Sequence, residues 1–382
     1  MELSDVQKYF KKAKKEALEK FISKLYEKGD EKTKKKVITA FVPKKERLVP
    51  KIKAPDPYGF FEEVKLFQEY AKEQYYFAPN RFVSKKERSG WRSYVKQLLG
   101  DSLALMQAKE YKVVYQSLEI ILSVLDKGTR YHVFVSTRPF DASRTDPKLW
   151  CGHMFKSFLH AHNFDYQKLF AHFVPFAHLY DLGSEKYESN VFMFLLDLCK
   201  TRDLEELYYL SITKYFSENC KASYSTRINK CEFIMTYDKY SEIHLKFSYQ
   251  GKKKYNQRLY FSDTKRLKWY KDLSDEEREA YHNLYQKALR GRTSWELDYK
   301  IKDIIPKGIQ FFLSNHDEKS AKKFVFAFRR ALRKGKFAYF VAYFCYQIKN
   351  FDEVKKWLQV CLNELPGHSD AKDLEEKLKM DF

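Results

Sequence analysis

Over most of the chain, apolar residues recur at the three-to-four-residue spacing of an amphipathic helix. Near the N-terminus, Val6, Phe10, Ala13, Ala17, Phe21 and Leu25 form a narrow apolar stripe on a lysine-covered rod, with Ser4 placed as a cap and Gln7 as its capping-box partner. From about 60 to 215 the pattern is again mainly helical. The stretch 102–125 reads as two short helices with a turn near Lys109 and Glu110, 136–150 as a loop, and 150–180 and 188–216 as helices. A further helix is predicted over 274–289, with Ser274 as its N-cap.

Between these helical stretches the period drops to two. Ile243, Leu245, Phe247 and Tyr249 alternate with His244, Lys246 and Ser248, and a turn at Gly251 leads to a second apolar run, Leu259, Tyr260 and Phe261. Together with the run 232–237 before it, this predicts a small antiparallel β element near 230–262. Pro43, Pro50, Pro55 and Pro57 make 43–59 an extended linker, because proline disfavours helix in the residue before it. The organisation expected is a basic helical arm and linker (1–59), a helical domain (60–220), a basic β-hairpin insert (221–272) and C-terminal helices (273–382).

The C-terminal helices contain a repeat. Residues 301–334 and 335–368 align as two units of about 34 residues. Gly308 pairs with Ala342, Phe311 with Cys345, Ser320 with Val354, Phe324 with Leu358 and Ala327 with Cys361; Pro366 closes the second unit. Small residues at matching points let antiparallel helices approach closely, and bulky ones fill the seam. This spacing resembles the tetratricopeptide repeat (TPR), although Val354 and Cys361 stand where that family prefers alanine, Ala338 replaces a bulky first-helix residue, and Leu332 replaces the first unit's closing proline. The stretch 102–125 shares the pattern loosely through Ser102, Leu105, Tyr111, Val114 and Leu118. A plain pair of αα-hairpins gives the same helices without the relationship. The fold class expected is mainly α, a helical-repeat (α-solenoid, TPR-like) architecture with a small antiparallel β element. The resemblance implies docking on preceding helices and the capacity to hold a protein partner.

Charge adds a partner class. Lys+Arg number 72 against 51 Asp+Glu, a formal net charge of +21, which favours polyanions, nucleic acid first. A lysine-rich proteome would produce the same bias. The basic arm at the N-terminus and three further basic stretches are candidates for a nucleic-acid interface. In 251–271, Lys252, Lys253, Lys254, Arg258, Lys265, Arg266, Lys268 and Lys271 interleave with Tyr255, Tyr260, Trp269 and Tyr270, the lysines and arginines suiting phosphates and the aromatics suiting stacked bases. Protection of an exposed strand edge explains the same lysines. Over 321–336, read as one helix, Arg329, Arg330 and Arg333 fall within one turn on a shared face. In the 136–150 loop, Arg138 and Arg144 stand among prolines.

Catalytic chemistry is not legible. Cys151 and half of the chain's histidines (His153, His160, His162, His172 and His178) crowd into 149–181, yet no two of these histidines have the i, i+4 spacing of adjacent metal ligands on a helix. Pro175 is expected to interrupt the segment between His172 and His178. Asp56, Glu63 and Lys65 mimic the acid–acid–lysine pattern of a nuclease class, but the residues around them have helical spacing. His316 and Asp317 mimic a metal phosphohydrolase dyad, but in a turn between helices, where they serve as turn and cap residues. There is no glycine-rich phosphate loop and no G-x-S-x-G elbow. The six cysteines show no C-x-x-C and predict reduced thiols in a cytosol-like compartment.

No cofactor is expected. Apolar runs such as 191–199 and 337–348 are too short to cross a bilayer, and the N-terminus lacks a secretory pattern, so no transmembrane segment is expected. The localisation expected is cytoplasmic, with nucleoid or nuclear association. The reading is a non-enzymatic protein that binds DNA or RNA; a protein–protein adaptor using the C-terminal repeats and a nucleic-acid-processing enzyme with a scattered site are the alternatives.

Overall fold

The computed structural model describes residues 20, 22–24, 27–28, 30, 54–77, 85–131, 133–182, 190–220, 223–237, 243–258, 268–291 and 295–380. The chain divides into two compact units, Met1–Ala54 and Pro55–Phe382. In the first, 20, 22–24 and 27–28 are helical; Ser4, the start of its apolar stripe and most of its lysines lie outside the described residues.

The second unit is mainly helical with one four-stranded antiparallel sheet. It opens on α1 (Pro57–Lys72), whose N-cap Asp56 accepts a 2.6 Å hydrogen bond from the Gly59 N–H. The linker expected over 43–59 therefore ends sooner than the prolines suggest, because Pro57 sits at the first helical position, where its missing N–H costs nothing. Phe60, Val64, Phe67 and Ala71 bury one face of α1 against α2 (Lys85–Gln107) and α3 (Tyr111–Arg130). The turn between α2 and α3 falls where expected, with Lys109 left-handed at φ 68°.

The loop expected over 136–150 is instead largely helical. Pro139 opens the short α4 (Pro139–Ser143) and Pro147 opens α5 (Pro147–Ala161), Asp146 accepting from the N–H groups of Lys148 and Leu149. Both prolines start helices rather than prevent them. A turn with Asn163 and Phe164 at positive φ leads to α6 (Tyr166–Leu179), which carries Pro175 internally without breaking. The expected interruption does not occur. Buried Phe170, Phe173, Val174 and Phe176 on either side of the proline hold the helix against its neighbours, an apolar gain that outweighs one lost backbone hydrogen bond. After α7 (Val191–Leu196), α8 (Arg202–Asn219) packs on α6.

The sheet is a meander of β1 (Ser223–Ile228), β2 (Cys231–Tyr237), β3 (Ile243–Tyr249) and β4 (Lys252–Arg258). It starts earlier than expected, and the partner of β3 is the lysine stretch itself rather than Leu259, Tyr260 and Phe261, which lie outside the described residues. Gln250 and Gly251, both at positive φ (50° and 75°), make the tight turn between β3 and β4. One face buries Phe233, Met235, Leu245 and Phe247 beneath Tyr281, Leu284, Tyr285 and Ala288 of α10 (Asp275–Gly291). The short α9 (Lys268–Lys271) adds Trp269 and Tyr270 to the margin of that core.

Then come α11 (Trp295–Lys300), α12 (Ile304–Ser314), α13 (Glu318–Ala327), a 3-10 turn (Phe328–Arg330), α14 (Lys334–Gln347), α15 (Phe351–Glu364) and α16 (Ser369–Met380). α12 pairs with α13 and α14 with α15; α14 also touches α12 and α13, and α8 packs on α13. Gly308 and Ala342, the small residues matched in the repeat, are both buried, as are Phe324 and Leu358. Asp317 caps α13 through the Ser320 N–H at 2.9 Å and Asn350 caps α15, so His316 and Asp317 occupy a helix–helix turn. No helix among the described residues is long and apolar enough to cross a membrane.

Candidate nucleic-acid interface

A sheet covered on one side only presents its other side as a row of alternate residues per strand. Here the register sets Arg227 beside Glu232, then Ser248, then Lys253; Ser225 beside Ile234, Lys246 and Asn256; and Ser223 beside Thr236, His244 and the Arg258 position. At roughly 4.8 Å between strands, these rows span about 14 Å. Arg227, Lys246 and Lys253 give the face its positive charge, with Glu232 as the acidic residue among these positions. None of the three cations makes an ion pair or side-chain hydrogen bond among the described residues.

Lys252, Lys253 and Lys254 are all exposed on the edge strand β4. Phe247 faces Tyr255 while Ser248 faces Lys253, so Lys254 is the extra residue of a bulge. Ser248, paired with Lys253 in the outer row, is only 6% exposed. Three lysines and a bulge on one edge discourage pairing with another strand and leave their ammonium groups in solvent.

Trp269 is not displayed for stacking on bases. Its ring lies 4.6 Å from Phe247, 5.8 Å from Tyr255 and 5.9 Å from Tyr281, and its indole Nε1 finds no acceptor among the described residues. It closes one margin of the sheet core. Arg258 belongs to β4 and Lys268 to α9, while Lys265 and Arg266 lie outside the described residues.

The single helix expected over 321–336 is two helices with a break. α13 ends at Ala327, Arg329 and Arg330 occupy the 3-10 turn, and Arg333 is the N-cap residue of α14. Arg333 is committed elsewhere: its Nε–H donates to the buried Asp298 carboxylate of α11. Burial raises the Asp298 pKa and the Arg333 guanidinium opposes that rise. Arg329 and Arg330 stay exposed, with no ion pair among the described residues. They border a cavity of about 540 Å³ that also touches Phe216, Ser217, Cys220, Ser223, Phe326 and Ala327. Ser223 begins β1, so the arginine turn meets the end of one outer row of the sheet.

Arg138 and Arg144 are exposed at the two ends of α4, Arg144 in a left-handed conformation (φ 56°). α4 packs against α2 and α3, whereas the sheet is carried by α10 and, through it, α8. The structure thus brings β4 and the 3-10 turn to one sheet and leaves Arg138 and Arg144 with other helices. Sequence reasoning missed Arg227, Lys246, Ser217, Ser223 and Phe326. The alternation along β3 is the signal for Lys246, whereas Arg227 lies on a strand with little apolar alternation; the cavity residues come together only in three dimensions.

The histidine-rich stretch is a pair of packed helices. Cys151, Met154, Phe155, Phe158 and Leu159 are buried. His160 stacks on Tyr111 at 4.5 Å, and the His162 ring lies tilted against Phe158 at 4.3 Å. His172 contacts Glu119 at 3.0 Å and His178 contacts the Tyr215 hydroxyl at 2.9 Å. His153 is half-buried against Trp150, and that burial, with Lys156 nearby, holds its pKa below 6.5. Among the described residues no three His, Cys, Asp or Glu side chains are grouped to hold a metal ion. All six cysteines are free thiols, and burial pushes Cys220 and Cys231 up to about 12. Such thiols are poor nucleophiles at neutral pH.

Set against known proteins, the chain matches no family model, and no curated protein or solved structure is significantly similar to it.

Proposed function

We propose that this chain is a helical-repeat protein that binds nucleic acid through basic surfaces and performs no chemistry of its own. The observation that carries the reading is the outer face of the sheet: Arg227 of β1, Lys246 of β3 and Lys253 of β4 lie on one face, without ion pairs among the described residues, and the row that ends at Ser223 meets the Arg329–Arg330 turn. Unpaired cations on a rigid frame suit phosphates, which neutralise them with release of condensed counterions. The adjoining pairs α12–α13 and α14–α15, with Gly308 close against Phe324 and the matched Ala342 buried, support the TPR-like, solenoid-type reading of the scaffold. Fluorescence anisotropy of the full chain with single-stranded DNA, duplex DNA and RNA tests it. Binding is expected at low salt, with affinity falling linearly in log–log terms as salt rises. No binding to any of the three at low salt overturns it.

A specific observation also supports the adaptor reading. Asp303, Lys307, Gln310 and Ser314 form one stripe along α12, and cavities of about 520, 550 and 800 Å³ adjoin it. A mixed-charge stripe flanked by cavities suits an extended peptide. Lys307→Glu together with Gln310→Ala separates the two readings: loss of a co-purifying protein with polynucleotide affinity unchanged favours the adaptor.

A further inference from the structure

We propose that the cavity between the end of α8, the start of β1 and the Phe328–Arg330 turn binds a phosphate monoester carried on a flat apolar group, in chemical terms a nucleoside monophosphate. The ligand is either a free nucleotide or the terminal nucleotide of a strand; only the second source rests on the function proposed above.

The cavity volume of about 540 Å³ lies within the roughly 300–1,000 Å³ range of small-molecule sites, far more than a bare phosphate needs. Its lining divides into two chemistries. Phe326 supplies the apolar surface, backed by Phe216 and Ala327, which are 0% and 8% exposed, while Arg329, Arg330, Ser217 and Ser223 supply donors. Guanidinium groups fork onto phosphate oxygens, and serine hydroxyls complete such a shell. No acidic side chain is among the described residues that line the cavity. Two helical segments end there, α8 at Asn219 and the α13–3-10 run at Arg330. Their carbonyl ends contribute about half a negative charge each. The two guanidiniums outweigh both ends, leaving about one net positive charge. Cys220 also lines the site, but burial holds its thiol at about 12, so it serves as wall and not as nucleophile.

The test uses the full chain. Calorimetric titration compares adenosine monophosphate with adenosine, and anisotropy compares otherwise identical short strands carrying a terminal phosphate (5′ or 3′) or only hydroxyl ends. The variant is the double substitution Arg329→Gln and Arg330→Gln; both side chains are exposed, so its circular-dichroism melt is expected to match the wild type. Adenosine monophosphate should bind at least about tenfold more tightly than adenosine, and the variant should lose that preference. A preference for phosphate-ended strands that the variant also loses identifies the strand terminus as the source; equal strands with tight mononucleotide binding identify the free nucleotide. Mononucleotide binding without polynucleotide binding leaves the site standing and removes the proposed function. Equal affinity for adenosine and its monophosphate, with equal strands, overturns the site even where polynucleotides bind, as does a variant that keeps the phosphate preference.

Discussion

Gly308 of α12 meets the ring of Phe324 of α13 so closely that a Cβ at position 308 would stand 2.3 Å from ring carbon Cε1. Phe324 is wholly buried, so the ring has little room to yield. In the next pair the matched residues are Ala342 and Leu358, both buried, where one more carbon on the first helix accompanies a smaller partner on the second. Gly308→Ala is therefore expected to destabilise by about 1–3 kcal/mol, although alanine is the better helix former by about 1 kcal/mol. Adding Phe324→Leu should recover part of the loss. Urea midpoints at constant m report both, and a stabilised single variant would show that the helices are not in close contact.

The junction before α16 makes stability sensitive to mild acid. His368 caps that helix by accepting from the Ala371 N–H at 3.4 Å, its Nε2 lies 2.9 Å from Lys336 Nζ, and its ring lies tilted against Tyr339 at 4.7 Å. Burial, then the Lys336 charge, holds its pKa below 6.5, and burial does the same for His153. As pH falls below about 6.5 the unfolded chain takes up these protons before the native one does. Stability is thus full above that value and declines beneath it. His368→Asn keeps a capping acceptor and removes the titration, so denaturation midpoints should fall less steeply with acid. An unchanged slope would remove His368 from this account.

Ser274 and Glu277 cap α10 reciprocally: the Ser274 N–H donates to Glu277 Oε2 at 2.9 Å, and the Glu277 N–H donates to Ser274 Oγ at 3.3 Å. Glu277 Oε1 also accepts from the Cys231 S–H at 3.2 Å, which ties the helix to β2. The Ser274 N–H is the main reason its pKa lies below 4.5. Glu277→Ala should cost about 1–2 kcal/mol at neutral pH. A depressed carboxylate pKa gives stability that is present above the unfolded value and lost as pH falls through the folded one, so the gap between variant and wild type should narrow below about pH 4.5. A constant gap in melting experiments would place the effect in packing instead.

How far the sequence revealed this depended on whether a residue's role was local. The α2–α3 turn, the Ser274 cap and the Asp317 turn are read from neighbours in sequence, and each stands where the pattern puts it. β1 and β4 were harder, because edge strands of a half-covered sheet bury few apolar residues, and Ser-Tyr-Ser-Thr-Arg-Ile or Lys-Lys-Lys-Tyr-Asn-Gln-Arg carries little alternation. The break after Ala327 was hidden because the spacing of Phe324, Ala327, Phe328 and Ala331 continues a helical stripe through the 3-10 turn. Arg333 looked available because its partner, Asp298, lies 35 residues away and is brought near only by α11 packing. Trp269 looked like a stacking platform among lysines; the ring faces inward because the sheet margin needs closing.

Those placements separate charge from structure on the sheet. Lys246→Gln with Lys253→Gln removes from the outer face two ammonium groups that have no ion pair among the described residues, without touching the core. Duplex-DNA binding should weaken, and the log–log salt slope should fall by about 1.8, or about 0.9 for each phosphate that the protein no longer neutralises. Lys252→Gln with Lys254→Gln alters the edge instead. If those lysines chiefly guard it, the variant should self-associate more at high concentration, seen by sedimentation, while the slope changes less. Trp269→Ala gives the opposite signature: loss of about 3 kcal/mol from a packed aromatic, with affinity per folded molecule unchanged. An unaltered salt slope in the Lys246 and Lys253 variant would remove the outer sheet face as a phosphate-binding surface.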